Sequence, residues 1–157
     1  MLFRTLILAC LVASTYSALW NVFSMKKCVG GESLFHYNGY GCNCGLGQNN
    51  RVPVDDIDTC CLRHKSCYNR ALESYDCKYW FLPYFTPYEW KCVDQNPVCS
   101  EEEAKSSNVC AAASCACDSE FVRCLDETEF SYPKPKCPSA SHITKGNSHQ
   151  QFHFEKE

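Results

Sequence analysis

Apolar residues fall into four readable patterns along this chain, and each predicts a different element. Leu6 to Ala13 is a continuous apolar run behind Arg4, closed by the small residues Thr15 and Ser17. That order predicts a secretory signal over residues 1–17, too short to cross a bilayer. Leu19, Val22 and Phe23 then share one stripe of a short helix over residues 18–28. The run Val54-Asp-Asp-Ile-Asp58 offers helix-starting carboxylates, and a helix is predicted from there to about Ser74. A second long helix is predicted over residues 104–127.

The segments between these helices are irregular. YGCNCGLGQ, residues 40–48, is a glycine-rich loop holding two cysteines. Residues 79–90 are crowded with aromatic side chains and broken by Pro83 and Pro87, which predicts an irregular surface segment. Cys92 to Cys99, with Asn96-Pro97 between them, predicts a small hairpin. Past Cys137 the chain is polar and lacks cysteine, so residues 138–157 read as a disordered tail. The pattern amounts to one mainly α domain over residues 18–137, with no internal repeat.

Cysteine usage sharpens this picture. The chain holds 15 cysteines, and Cys10 lies in the signal. An even set remains in an exported chain, which predicts a disulfide framework rather than zinc ligands. Cys60 and Cys67 are seven residues apart, as are Cys117 and Cys124. Seven residues is close to two helical turns, so each pair occupies one face. Joining Cys60 to Cys124 and Cys67 to Cys117 would clamp two antiparallel helices at two levels, although spacing alone does not fix connectivity. His64 falls between its cysteines on that face, and Asp118 follows Cys117 on the other helix.

Charge excludes more than it suggests. Without Arg4 the chain carries 14 basic against 18 acidic residues, which argues against nucleic-acid binding. No segment outside the signal is apolar enough to span a membrane.

Three motifs then stand out together: YGCNCGLG, CCLRHKSCY and CACDSEFVRC. They resemble the secreted phospholipases A2, and the opening ALWNVFSMKKC, Cys28 and the PYFTPYEWKC segment are similar to the pancreatic-type branch. The resemblance covers residues 18–137. It implies a fold of two long antiparallel helices cross-linked by disulfides, with a short N-terminal helix, a glycine-rich calcium-type loop and a small β-hairpin. It implies the bridges Cys28–Cys92, Cys42–Cys137, Cys44–Cys61, Cys60–Cys124, Cys67–Cys117, Cys77–Cys110 and Cys99–Cys115.

By the same resemblance, His64 is the general base that takes a proton from the water attacking the sn-2 ester of a glycerophospholipid. Asp118 orients its ring, and Tyr68 and Tyr88 hydrogen-bond that carboxylate. The family cofactor is calcium, held by backbone carbonyls at Asn43, Gly45 and Gly47 and by an aspartate directly after the histidine. Here that residue is Lys65. A lysine offers three donors and no acceptor, so calcium binding and calcium-dependent hydrolysis are expected to be lost or weak. Gln48, where the family loop continues with glycine, and Lys26, on the stripe of an apolar acyl channel, depart from the pattern in the same direction.

Leu19, Trp20, Val22, Leu46 and Tyr84, with the aromatic segment, are the expected contacts to phospholipid membranes or aggregates. Three readings follow. The chain is a secreted, phospholipase A2-like protein acting at lipid surfaces or on a protein partner with impaired catalysis, an active phospholipase A2, or a structural scaffold of an extracellular matrix.

Overall fold

The structure is a computed structural model that describes residues 19–45, 51–74, 76–101 and 108–138, and every statement below concerns these. The signal segment, Leu46, Gly47, Gln48 and the tail beyond Pro138 lie outside the described residues. Helix α1 covers residues 19–29. It is followed by a single turn, α2 (Leu34–Tyr37), and a long helix, α3 (Asp56–Glu73). A second single turn, α4 (Leu82–Phe85), leads into strands β1 (Trp90–Val93) and β2 (Asn96–Cys99). Helix α5 (Val109–Asp126) closes the order.

Helix α3 begins where its sequence supplies a cap. Asp55 is extended, and its carboxylate accepts the Asp58 N–H at 2.9 Å, which satisfies one of the helix's open donors. Helix α5 starts later than its pattern predicts. Its cap is Asn108, whose side chain accepts the Ala111 N–H, and residues 102–107 lie outside the described set. The hairpin differs in a second way: its turn is Asp94-Gln95, both at positive φ (49° and 62°), while Asn96-Pro97 belongs to β2. Two left-handed residues match the twist of a two-residue hairpin turn. Pro97 pairs with Cys92 in a two-stranded sheet, where a missing N–H has an open edge to face.

The two long helices form the frame. Cys60 bonds Cys124 and Cys67 bonds Cys117, each with Cα atoms 5.7 Å apart, so α3 and α5 run antiparallel and are stapled at two levels. Cys28–Cys92, Cys77–Cys110 and Cys99–Cys115 fasten α1, the segment before α4 and the hairpin to this frame. Cys44–Cys61 and Cys42–Cys137 hold the glycine-rich loop. The core lies on both sides of α5. Met25, Val29, Tyr88, Ala111 and Val122 pack on one side, and Tyr37, Tyr40, Ile57 and Leu125 on the other.

Candidate active site

His64 lies between the two staple cysteines of α3 and Asp118 directly follows the staple residue Cys117 on α5, so the two meet across the facing surfaces of the helices. Nε2 of His64 lies 2.7 Å from Oδ1 of Asp118. The carboxylate is buried at 2% exposure, and a buried carboxylate requires partners. It has them: Tyr68 donates to Oδ1 at 2.5 Å, and the Tyr88 hydroxyl donates to Oδ2. Burial, then the Asp118 charge, pushes the Tyr68 hydroxyl well above its ordinary pKa, which keeps it a donor. The His64 ring is stacked on Phe121 (centroids 4.3 Å, 9° between planes) and leans on Tyr68. With Nε2 directed at the carboxylate, Nδ1 is the nitrogen left to face a reactant.

His64, Tyr68 and Asp118 line a cavity of about 590 Å³. Its apolar wall comes from Leu19, Val22 and Phe23 of α1 with Leu34, Phe35 and Phe121; its other wall carries Asn43, Cys44, Gly45 and Lys65. Tyr84 closes one side, edge-on to Tyr68 at 4.9 Å. Such a volume and lining suit a long apolar ligand with one polar end. The two exposed residues Leu19 and Phe35 carry the apolar wall out to the surface, while Trp20, also exposed, does not line the cavity.

Lys65 occupies the wall formed by the loop. Burial lowers the pKa of its ammonium, and the Asp58 carboxylate opposes that shift. The described part of the loop is organised by Asp58, one of the carboxylates at the start of α3. Asp58 is fully buried and accepts three backbone N–H groups: Cys42 at 2.8 Å, Asn43 at 2.6 Å and Val54 at 3.0 Å. Gly41 packs so closely that a Cβ there would fall 2.4–2.7 Å from the carboxyl group, and its φ is +58°. Gly45, at φ +122°, likewise leaves only 2.7 Å between a Cβ and Oδ1 of Asn38. Asn43 is locked by reciprocal bonds with the Arg51 backbone, both 3.1 Å. Asp58 precedes Lys65 by seven residues, close to two helical turns, so both face the loop from one side of α3.

Lys26 is a correction. It does not line the cavity; it is buried at 3% exposure and its Nζ donates to the Gly30 carbonyl at the end of α1. A lysine near a helix C-terminus satisfies a carbonyl that has no intrahelical partner. Asn69, Asn38 and Phe35 line the cavity and were missed, because their positions depend on how α2 and the loop meet α3.

A histidine paired with a buried carboxylate at the wall of an apolar cavity, on stapled antiparallel helices, is the arrangement of a positioned general base. The comparisons with known proteins narrow it. The family profile "Phospholipase A2" matches residues 19–135. "Phospholipase A2" of Ovis aries is 38% identical over 116 residues, covering 72% of this chain and 90% of that protein. "Group IIC secretory phospholipase A2" of Mus musculus is 38% identical over 122 residues, covering 77% of each. "Group 10 secretory phospholipase A2" of Homo sapiens is 39% identical over 115 residues, covering 70% of this chain and 64% of that protein. The chain belongs to the phospholipase A2 family.

Proposed function

We propose that this chain is a secreted phospholipase A2-like protein that works at phospholipid surfaces and has lost most or all calcium-dependent sn-2 ester hydrolysis. The observation that carries the reading is Lys65 in the cavity wall beside Asn43 and Gly45. Enzymes of this family are generally calcium-dependent, and calcium takes six to eight oxygen ligands, with carboxylates prominent among them. The residues here do not fit that ion. The carboxylate facing the loop, Asp58, is occupied by three backbone N–H groups, and the side chain after the catalytic-type histidine is a cation. A unit charge pair at about 4 Å is worth roughly 4 kcal/mol at an effective dielectric near 20. Reversing its sign beside a divalent ion weakens binding on the order of a thousandfold or more.

Export is supported by the seven disulfides and by relatives named as secretory. We assign residues 1–17 to the signal, 18–137 to the domain and 138–157 to a tail. The Cys28–Cys92 bridge supports the pancreatic-type branch. Among the described residues no helix is long and apolar enough to cross a membrane, so the contact we infer is peripheral.

A second reading rests on the complete set His64, Asp118, Tyr68 and Tyr88. In it, Nδ1 of His64 takes a proton from water, the hydroxide attacks the sn-2 carbonyl carbon, and the Lys65 ammonium donates to the oxyanion. The carbonyl–oxygen bond to glycerol then breaks, and the imidazolium returns its proton to the leaving oxygen. Fatty-acid release from mixed phospholipid micelles, with calcium and with chelator, separates the readings. Robust calcium-dependent release overturns the first. Release indifferent to chelator and abolished in His64→Ala supports the second.

A further inference from the structure

Among the described residues that line the cavity, Lys65 carries the one primary amine. Lys26, the lysine of α1 nearest that wall in sequence, turns away to the Gly30 carbonyl. Lys27, Lys78, Lys91 and Lys136 are exposed, and none of them lines the cavity. The amine of Lys65 shares its cavity with Leu19, Val22, Phe23 and Phe121, so a chain lying on that apolar wall ends beside it. Leu19 and Phe35, both exposed, bring the wall to the surface, where such a chain enters. No thiol competes for an electrophile there, because the cavity's Cys44 and Cys61 are bonded to each other.

We propose that Lys65 is a covalent capture site for long-chain aliphatic aldehydes, which the cavity holds as imines. The proposal goes beyond the lipid-surface reading and needs only the cavity and its amine. Lysine amines form Schiff bases with carbonyl compounds. The lone pair of Nζ adds to the aldehyde carbon, and a proton moves from nitrogen to oxygen to give a carbinolamine. Its hydroxyl then leaves as water with the remaining N–H proton, and the C=N bond closes. Nothing is oxidised or reduced, and water is the only product released. Two features favour Lys65 over a surface lysine. A chain seated on the apolar wall holds its carbonyl near the amine, so a dilute encounter becomes a local one. The same wall keeps water away, and water is what hydrolyses an imine. A short aldehyde gains neither advantage.

The test treats the full-length protein with dodecanal or with propanal in the presence of cyanoborohydride, which fixes the imine and spares disulfides. Labelled lysines are then mapped by peptide mass spectrometry. With dodecanal, Lys65 is labelled at least about tenfold faster than Lys27, Lys78, Lys91 or Lys136. With propanal that preference disappears. Dodecanol, the same chain without a carbonyl, slows labelling of Lys65 in the wild type and leaves the surface lysines unchanged. Lys65→Arg keeps the positive charge and loses the cavity adduct, while surface labelling stays as in the wild type. Dodecanal labelling of Lys65 that is no faster than at the surface, or indifferent to dodecanol, overturns the capture site. That result leaves the lipid-surface reading intact, since the calcium and chelator assay tests it separately.

Discussion

Helix α3 serves two neighbouring regions that ended differently. Toward α5 it presents His64 and Tyr68 to a carboxylate whose two oxygens receive a histidine and two tyrosines. Toward the glycine-rich loop it presents Asp58 and Lys65. Residues 40–45, the described part of the loop, are held by Asp58, which gathers the N–H groups of Cys42, Asn43 and Val54, while Gly41 makes room for it. Beside that scaffold stands Lys65, an ammonium with three donors and no acceptor to offer a cation. A single residue step along a helix therefore separates a carboxylate network of one histidine and two tyrosines from a loop wall that carries an ammonium.

The comparison breaks most severely at Asp58. Asp58→Ala would leave three buried N–H groups without an acceptor, and we expect a loss of roughly 3–5 kcal/mol in denaturant unfolding with disulfides intact. A loss under about 1 kcal/mol would show that the loop does not depend on this carboxylate. On the other side of α3, Tyr88→Phe removes one charge-assisted bond from a buried carboxylate and should cost about 1.5–3 kcal/mol. Its calcium response should not change, because the bond lies in the other region. Gly45→Ala strains a left-handed residue against Asn38 and should cost about 1–2 kcal/mol, read from the same unfolding curves.

A smaller effect is set by pH. Burial pushes the Tyr37 and Tyr40 hydroxyls up to about 12 and Tyr68 further in the same direction. The unfolded state, with phenols near 10, loses protons first as pH rises. The folded state then holds more protons than the unfolded one, so stability is full below pH 10 and falls as pH rises from about 10 through 12. Tyr68→Phe should flatten part of that fall. An unchanged slope would mean that the Tyr68 phenol titrates alike in both states.

The frame of the molecule was legible in the sequence because covalent and periodic signals agreed. Cys60, Cys67, Cys117 and Cys124 repeat at helical spacing, which puts each pair on one helix face, and the bridges of the structure clamp those faces together. Where tertiary contacts decide, reading failed. Lys26 was placed on the acyl-channel stripe, yet its ammonium turns back to the Gly30 carbonyl, a choice set by where α1 ends. Asp58 looked like one of several acids at a helix start, and only the folded loop shows that it faces inward. The hairpin was expected over Cys92 to Cys99 with Asn96-Pro97 inside it, and within that span it is Asp94 and Gln95 that adopt the left-handed conformation of the turn. Local residue type does not settle which of two adjacent dipeptides will turn.

The most direct test of the central claim is calorimetric titration of calcium into the wild-type protein and into Lys65→Asp. The account predicts no binding by the wild type in the millimolar range, and binding by Lys65→Asp stronger by on the order of a thousandfold. Calcium binding by the wild type with an affinity equal to that of Lys65→Asp would contradict it.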